Sequence, residues 1–388
     1  MEKRWSISLK NFYGSKIKDT RGEDTILVKV DTNVGKFTAS APNGKSKGKF
    51  EARPYIRSLN DDIKRLRKVT KQFVQIEFED FNDLSHLDKL FEKTKIGANT
   101  RIALEYAILK ALAKGKGVEI FELINKNIRR RPGPAFVANV IGGGKHSHSR
   151  KKPEFQEFHI ITRDTGVLKR VYFEIEKELF RLDENFRGKK NDENAWETSL
   201  DNSVVLDLLK KLQNEYDLQI GVDIAASSFY KKKRYQYTNP KIFRKESDQF
   251  LYLQALIKKR NIFYVEDPFH EEDFDGFAEL QKSYNKVMIV GDDLTVTNPE
   301  RLMKAIQYNA IKGIIVKPNQ IGSLLKVREV CETAKKHKIK IIFSHRSGET
   351  EENIIADLAY GFDADYVKFG ADGKGRIEKI QRILEIRK

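Results

Sequence analysis

Apolar and polar residues alternate through "WSISLKNFYGSKIKDTRGEDTILVKVDTNVGKFTASAP" (residues 5–42), a period of two that predicts antiparallel strands with turns at Arg21-Gly22 and Asn33-Gly35. The period then lengthens. "IRSLNDDIKRLRKVTKQF" and "NTRIALEYAILKALAKGKG" repeat apolar residues at three- and four-residue spacing and predict helices. "NIRRRPGPAF", with Pro132, Gly133 and Pro134, interrupts the pattern, so an N-terminal α+β domain is expected over residues 1–128 and a second domain over 134–388.

In the second domain, short Val/Ile/Phe-rich runs alternate with amphipathic helices: "LQIGVDIAA", "IFYVEDPF", "VMIVGDDL", "IKGIIVKPN", "IKIIFSHR" and "ADYVKFGA". These runs end in Asp223, Glu266, Asp292, Lys317, His345 and Lys368, and the last five are spaced at about one strand-plus-helix unit each. Six parallel strands in succession predict an α/β fold of the TIM type, a (β/α) barrel capped by the N-terminal domain. A doubly wound open sheet fits less well, because no glycine-rich phosphate loop follows its first strand.

A barrel brings strand ends to one mouth, where Asp223, Glu266 and Asp292 would repel one another without a cation between them. Oxygen-only donors suit a hard ion, Mg²⁺ first. One carboxylate at a strand end is ordinarily a helix cap or a surface ion pair; three in register are not. Lys317 would face the same centre, with a pKa expected to be lowered by a neighbouring cation and desolvation, as a base requires. Lys368 would enter two strands further on, and Arg346 beside Ser347 is a natural pair for clasping phosphate. His146 lies on the glycine-rich "VIGGGKHSHSRKK", a candidate lid.

Composition narrows the setting. Lysine and arginine number 73 against 56 acids, a net charge of +17, and a field of that sign attracts anions. The basic clusters "GKSKGKFEAR", "NIRRRPG", "HSHSRKKPEF", "RGKKND" and "YKKKRYQY" leave open a small anionic substrate, a nucleic-acid partner or plain solvation. One cysteine, Cys331, excludes an intramolecular disulfide and points to a reducing compartment. With no signal-peptide pattern and no long apolar run, a cytoplasmic protein without a membrane role is expected.

"DTRGEDT", "GANTRIALEYAILKALA", "NVIGGGKH", "VDIAASSFY", "VEDPFHEEDF", "IVGDDLTVTNPERL", "VKPNQIGSL", "FSHRSGETEENIIADL" and "YVKFGA" resemble, in order and spacing, the signature segments of the enolase family. The resemblance implies a carbon–oxygen lyase, phosphopyruvate hydratase, that interconverts 2-phosphoglycerate and phosphoenolpyruvate plus water in glycolysis, usually as a homodimer formed through the N-terminal domain. It further implies that Asp223, Glu266 and Asp292 bind one Mg²⁺ and Ser46 ligates a second, brought with substrate. Lys317 becomes the base, and Glu193 the acid, kept protonated by burial beside Glu157. Lys368 would hold the substrate carboxylate, Arg346 and Ser347 its phosphate, while His146, Gln156, Glu157 and His345 line the pocket.

Three segments depart from the family pattern: S-G-A-S-T-G reads "NGKSKG", G-D-E-G-G reads "NDENA", and H-A-G-N reads "HSHS", with two extra residues before Gln156. Phe369 replaces a threonine beside Lys368. These departures keep two other readings in play: the same enolising machinery applied to a related phosphorylated or carboxylated acid, and an enolase-like protein whose basic surface binds RNA or another polyanion.

Overall fold

The alternating N-terminal stretch folds into β1 (Ile7–Lys18), β2 (Asp24–Thr32) and β3 (Gly35–Ser40), joined by β4 (Ile76–Phe78) in the antiparallel order β3-β2-β1-β4. The computed structural model describes residues 5–45, 48–71, 76–128 and 132–388. Ile26, Val28 and Val30 of β2 turn inward, toward helices α1 (Leu59–Lys71), α2 (His86–Lys93) and α3 (Ala98–Lys116). Helix α3 is apolar on nearly every side because it is enclosed between sheet and barrel, which is why its amphipathic pattern is weak. Its Glu105 accepts the N–H of Leu324 at 2.7 Å, tying the cap to the barrel.

The barrel comprises β5 (Ala135–Gly142), β6 (Glu157–Thr162), β8 (Gln219–Asp223), β12 (Tyr264–Glu266), β13 (Met288–Gly291), β14 (Gly313–Val316), β15 (Lys340–Ser344) and β16 (Tyr366–Lys368), and it closes by pairing β16 with β5. Short β7 (Trp196–Glu197) adds to the outside of β5. The six expected strands are parallel to their neighbours in the series β8 to β16. The one departure is β6, antiparallel to both β5 and β8; its connection from β5 carries a 3₁₀ turn at Gly144–His146 and no crossover helix. Its consequence is chemical: the start of β6, not its end, reaches the mouth, and Glu157 stands opposite Asp223.

Inside the barrel Val137, Ile161, Tyr264, Met288, Val290, Ile315 and Ile342 form an apolar plug, so polar chemistry is confined to the mouth. The basic "YKKKRYQY" segment is part of a separate antiparallel sheet of β9 (Tyr230–Lys231), β10 (Arg234–Thr238) and β11 (Lys241–Arg244). Tyr235 and Tyr237 turn into the core while Lys231 and Arg234 face solvent. No helix among the described residues is long and apolar enough to cross a membrane.

Candidate active site

Asp223 and Glu266 end paired strands and stand in register; Asp292 follows β13 directly. All three are buried, and two ammonium groups sit among them. Lys368 Nζ is 3.1 Å from Asp223, 2.9 Å from Glu266 and 3.3 Å from Glu157, while Lys317 Nζ is 2.5 Å from Asp292. Gln320 donates to the other Asp292 oxygen at 3.0 Å, and the Tyr264 hydroxyl donates to Glu266. Burial and then the Asp223 charge push the Glu266 carboxyl well above its usual range, with Lys368 opposing. For Asp292 burial also acts upward, but Lys317 outweighs it and holds the carboxyl low.

This is a cation-demanding centre built from oxygen donors, the chemistry a hard divalent ion needs. The three carboxylates are not drawn equally close. Asp292 has ligand atoms within 4.8 Å of those of Asp267 and Asp293, whereas Asp223 and Glu266 gather on Lys368. Lys317 differs from expectation in one respect: its pKa is raised, not lowered. Burial works downward, but Asp292 beside it prevails.

On the acid side, His146 Nδ1 lies 3.3 Å from Glu193 and 3.7 Å from Glu157. His345 Nε2 is 3.7 Å from Glu193, and Asn139 donates to Glu193 at 3.1 Å. The expected order of protonation is reversed. Burial would raise Glu193, yet His146, with His345 and Arg376 behind it, holds it well below the carboxylate range. Glu157 is instead raised, by burial and by the Glu193 charge. In His146, burial works downward and Glu193 prevails upward, the opposite direction to the shift of Glu193 itself.

Arg346 is clasped by Glu51 at 3.0 Å, reached because Gly44 lets the preceding loop lie against the guanidinium; a Cβ there would come within 1.8 Å of Arg346. The Asn43–Gly348 bridge fixes that loop to the segment after β15. Ser347 Oγ accepts from Arg21 at 3.0 Å and from the Lys45 N–H at 2.9 Å. Ser46 lies outside the described residues. Glu51, Arg21 and Gln320 escaped the sequence reading. Glu51 is the single acid of the basic run "GKSKGKFEAR" and Arg21 belongs to "DTRGEDT", which are the signals that point to them.

His146, Gln156, Glu157, Glu193, Asp223, Lys317, His345, Arg346, Ser347 and Lys368 line one small cavity of about 20 Å³. Gln156 Oε1, His146 Nε2 and both ring nitrogens of His345 are buried there without a hydrogen-bonding partner among the described residues, which polar atoms rarely tolerate unless a ligand completes them. A wider surface depression lies elsewhere, around Phe263, Met288 and Lys312 at the strand starts. It contains none of these carboxylates.

A capped (β/α) barrel with lysines, carboxylates and imidazoles converging on a closed polar cavity defines an acid–base enzyme of the barrel-mouth kind. Within that class, this chain belongs to the enolase family. Residues 131–388 match the family described as "Enolase, C-terminal TIM barrel domain" and residues 9–124 match "Enolase, N-terminal domain". Curated relatives, each named Enolase, include those of Pyrobaculum aerophilum (34% identical, covering 96% of this chain and 94% of that one). Those of Sulfurisphaera tokodaii (36%; 97% and 95%) and Picrophilus torridus (34%; 96% and 96%) are similar over the same extent.

Proposed function

We propose that this chain interconverts 2-phosphoglycerate and phosphoenolpyruvate plus water, as a Mg²⁺-dependent phosphopyruvate hydratase. The observation that carries the reading is the single cavity shared by a lysine, a carboxyl–imidazole pair, a second lysine and an arginine, with polar atoms left for a ligand to satisfy. Asp223, Glu266 and Asp292 would hold one Mg²⁺ and Ser46 would ligate a second, and bound ions would supply positive charge against the enolate that forms beside an existing carboxylate. A lysine base working with one or two Mg²⁺ ions is general to enolase-superfamily sites and not particular to this chain.

Lys317 takes the proton from carbon 2, and to do so it must first shed its own proton and its contact with Asp292. Lys368 turns its ammonium from the carboxylates to the substrate carboxylate. Arg346 releases Glu51 to take the phosphate, with Ser347 beside it. The His146–Glu193 pair carries the proton that leaves with the hydroxyl of carbon 3, and Gln156, Glu157 and His345 complete the wall. An anionic small molecule suits the cations of the cavity, and nothing in the site or in the relatives' names favours a nucleic-acid partner. We extend the reading to a homodimer through the N-terminal sheet, whose outer strand β3 pairs with β2 alone among the described strands.

Calorimetric titration tests the ligand set. Wild type is expected to bind Mg²⁺ and then 2-phosphoglycerate, and bound ligand to raise the melting temperature by mass action. Asp292→Ala is expected to lose the Mg²⁺ heat. Equal Mg²⁺ binding by the two proteins would remove Asp292 from the site.

A further inference from the structure

Glu193 faces the cavity, and its neighbour Asp192 stands at the rim, where each carboxylate oxygen takes a different partner. Lys45 Nζ is 2.6 Å from Oδ2 and His148 Nε2 is 2.9 Å from Oδ1. The three residues come from the three segments that depart from the family pattern. Lys45 stands where the pattern has alanine and His148 where it has glycine, side chains that offer nothing to a carboxylate.

The turn under Asp192 is rigid. Asn191 Oδ1 accepts the N–H groups of Glu193 at 2.9 Å and Ala195 at 3.0 Å, and Arg376 donates at 3.1 Å to the Asp192 carbonyl and to that of Ser347. Each arm also has a backbone anchor: the Lys45 N–H on Ser347, at 2.9 Å, and the His148 N–H on Glu197, at 2.7 Å. The Asp192 side chain adds a direct side-chain link between the two arms at the turn bearing Glu193, beside the His146–Glu193 contact that also holds the His148 segment there.

We propose that Asp192 is a positioning residue, a latch that fastens the Lys45 segment and the His148 segment to the Glu193 turn and so sets the roof of the cavity and its acid as one unit. The latch rests on the hydratase reading for its purpose but not for its existence. A carboxylate shared by two arms restrains both more than either arm alone, so the arms are energetically coupled.

Hydrogen exchange of the substrate-free protein and steady-state kinetics on 2-phosphoglycerate test this together. Lys45→Ala and His148→Ala alter side chains that are 33% and 61% exposed, so the fold is kept. Each is expected to speed amide exchange in both arms and at residues 192–194. Each should raise KM about two- to fivefold, the range of partly exposed ion pairs, with a smaller change in kcat. Lys45→Arg is expected to restore KM, and the double variant to lose less than the product of the single effects. Exchange that rises only in the mutated arm, with strictly multiplicative kinetics, would reduce the latch to two independent surface pairs and overturn it, as would unchanged exchange in all variants. If wild type fails to turn over 2-phosphoglycerate, the hydratase reading falls while the exchange data still decide the latch.

Discussion

Lys317→Ala is expected to lose both turnover and the exchange of the carbon 2 hydrogen of 2-phosphoglycerate in deuterated water. No other described side chain of the cavity is an amine free to take its place. Lys368 is held by three carboxylates that push its pKa well up against burial, Lys45 is engaged with Asp192 at the rim, and Arg346 does not deprotonate. The loss should reach the upper part of the roughly 10²–10⁴-fold range of general-base removal. The variant also strips Asp292 of its buried partner, which costs about 3–5 kcal/mol when one member of such a pair is removed. A lower melting temperature in the absence of Mg²⁺ is therefore part of the prediction, and the kinetics are to be read on protein shown to be folded. Mass spectrometry of recovered substrate gives the exchange. Wild-type exchange in Lys317→Ala would assign the base elsewhere.

The second large effect separates the two halves of the reaction. Glu193→Gln keeps the shape of the side chain and its Asn139 neighbour but cannot pass a proton as a carboxyl does. It leaves Lys317 and the carboxylates Asp223, Glu266 and Asp292 untouched. Carbon 2 exchange should persist while release of water falls by roughly 10²–10⁴-fold. His146 loses the charge that raises its pKa and should titrate lower, visible as a shift of its ring resonances toward the acid side. Loss of exchange and turnover in parallel would mean that Glu193 acts in proton removal as well.

Much of this centre was legible in the sequence because parallel strands announce their ends. An apolar run that stops at Asp223, Glu266, Lys317 or Lys368 marks the barrel mouth without any knowledge of contacts. Glu157 escapes that rule, since β6 runs the other way and its residue at the mouth is its first. Glu193 and Gln156 sit in loops with no periodic signal and came only through the family resemblance. Glu51 and Arg346 meet across nearly the whole chain, a pairing that local pattern cannot reveal. Protonation was the least readable property: burial pushes Glu193 and Lys317 one way, and a partner 3.3 Å or 2.5 Å away pushes each the other.

The proposed latch through Asp192 would give the departures in the three roof segments a structural role compatible with the family reaction. The central claim is turnover itself. Protein freed of metal, given 2-phosphoglycerate and Mg²⁺, should form phosphoenolpyruvate, read as the rise in ultraviolet absorbance of the product; chelator should stop the reaction and excess Mg²⁺ restore it. Folded protein that binds Mg²⁺ yet forms no phosphoenolpyruvate from 2-phosphoglycerate would contradict the account.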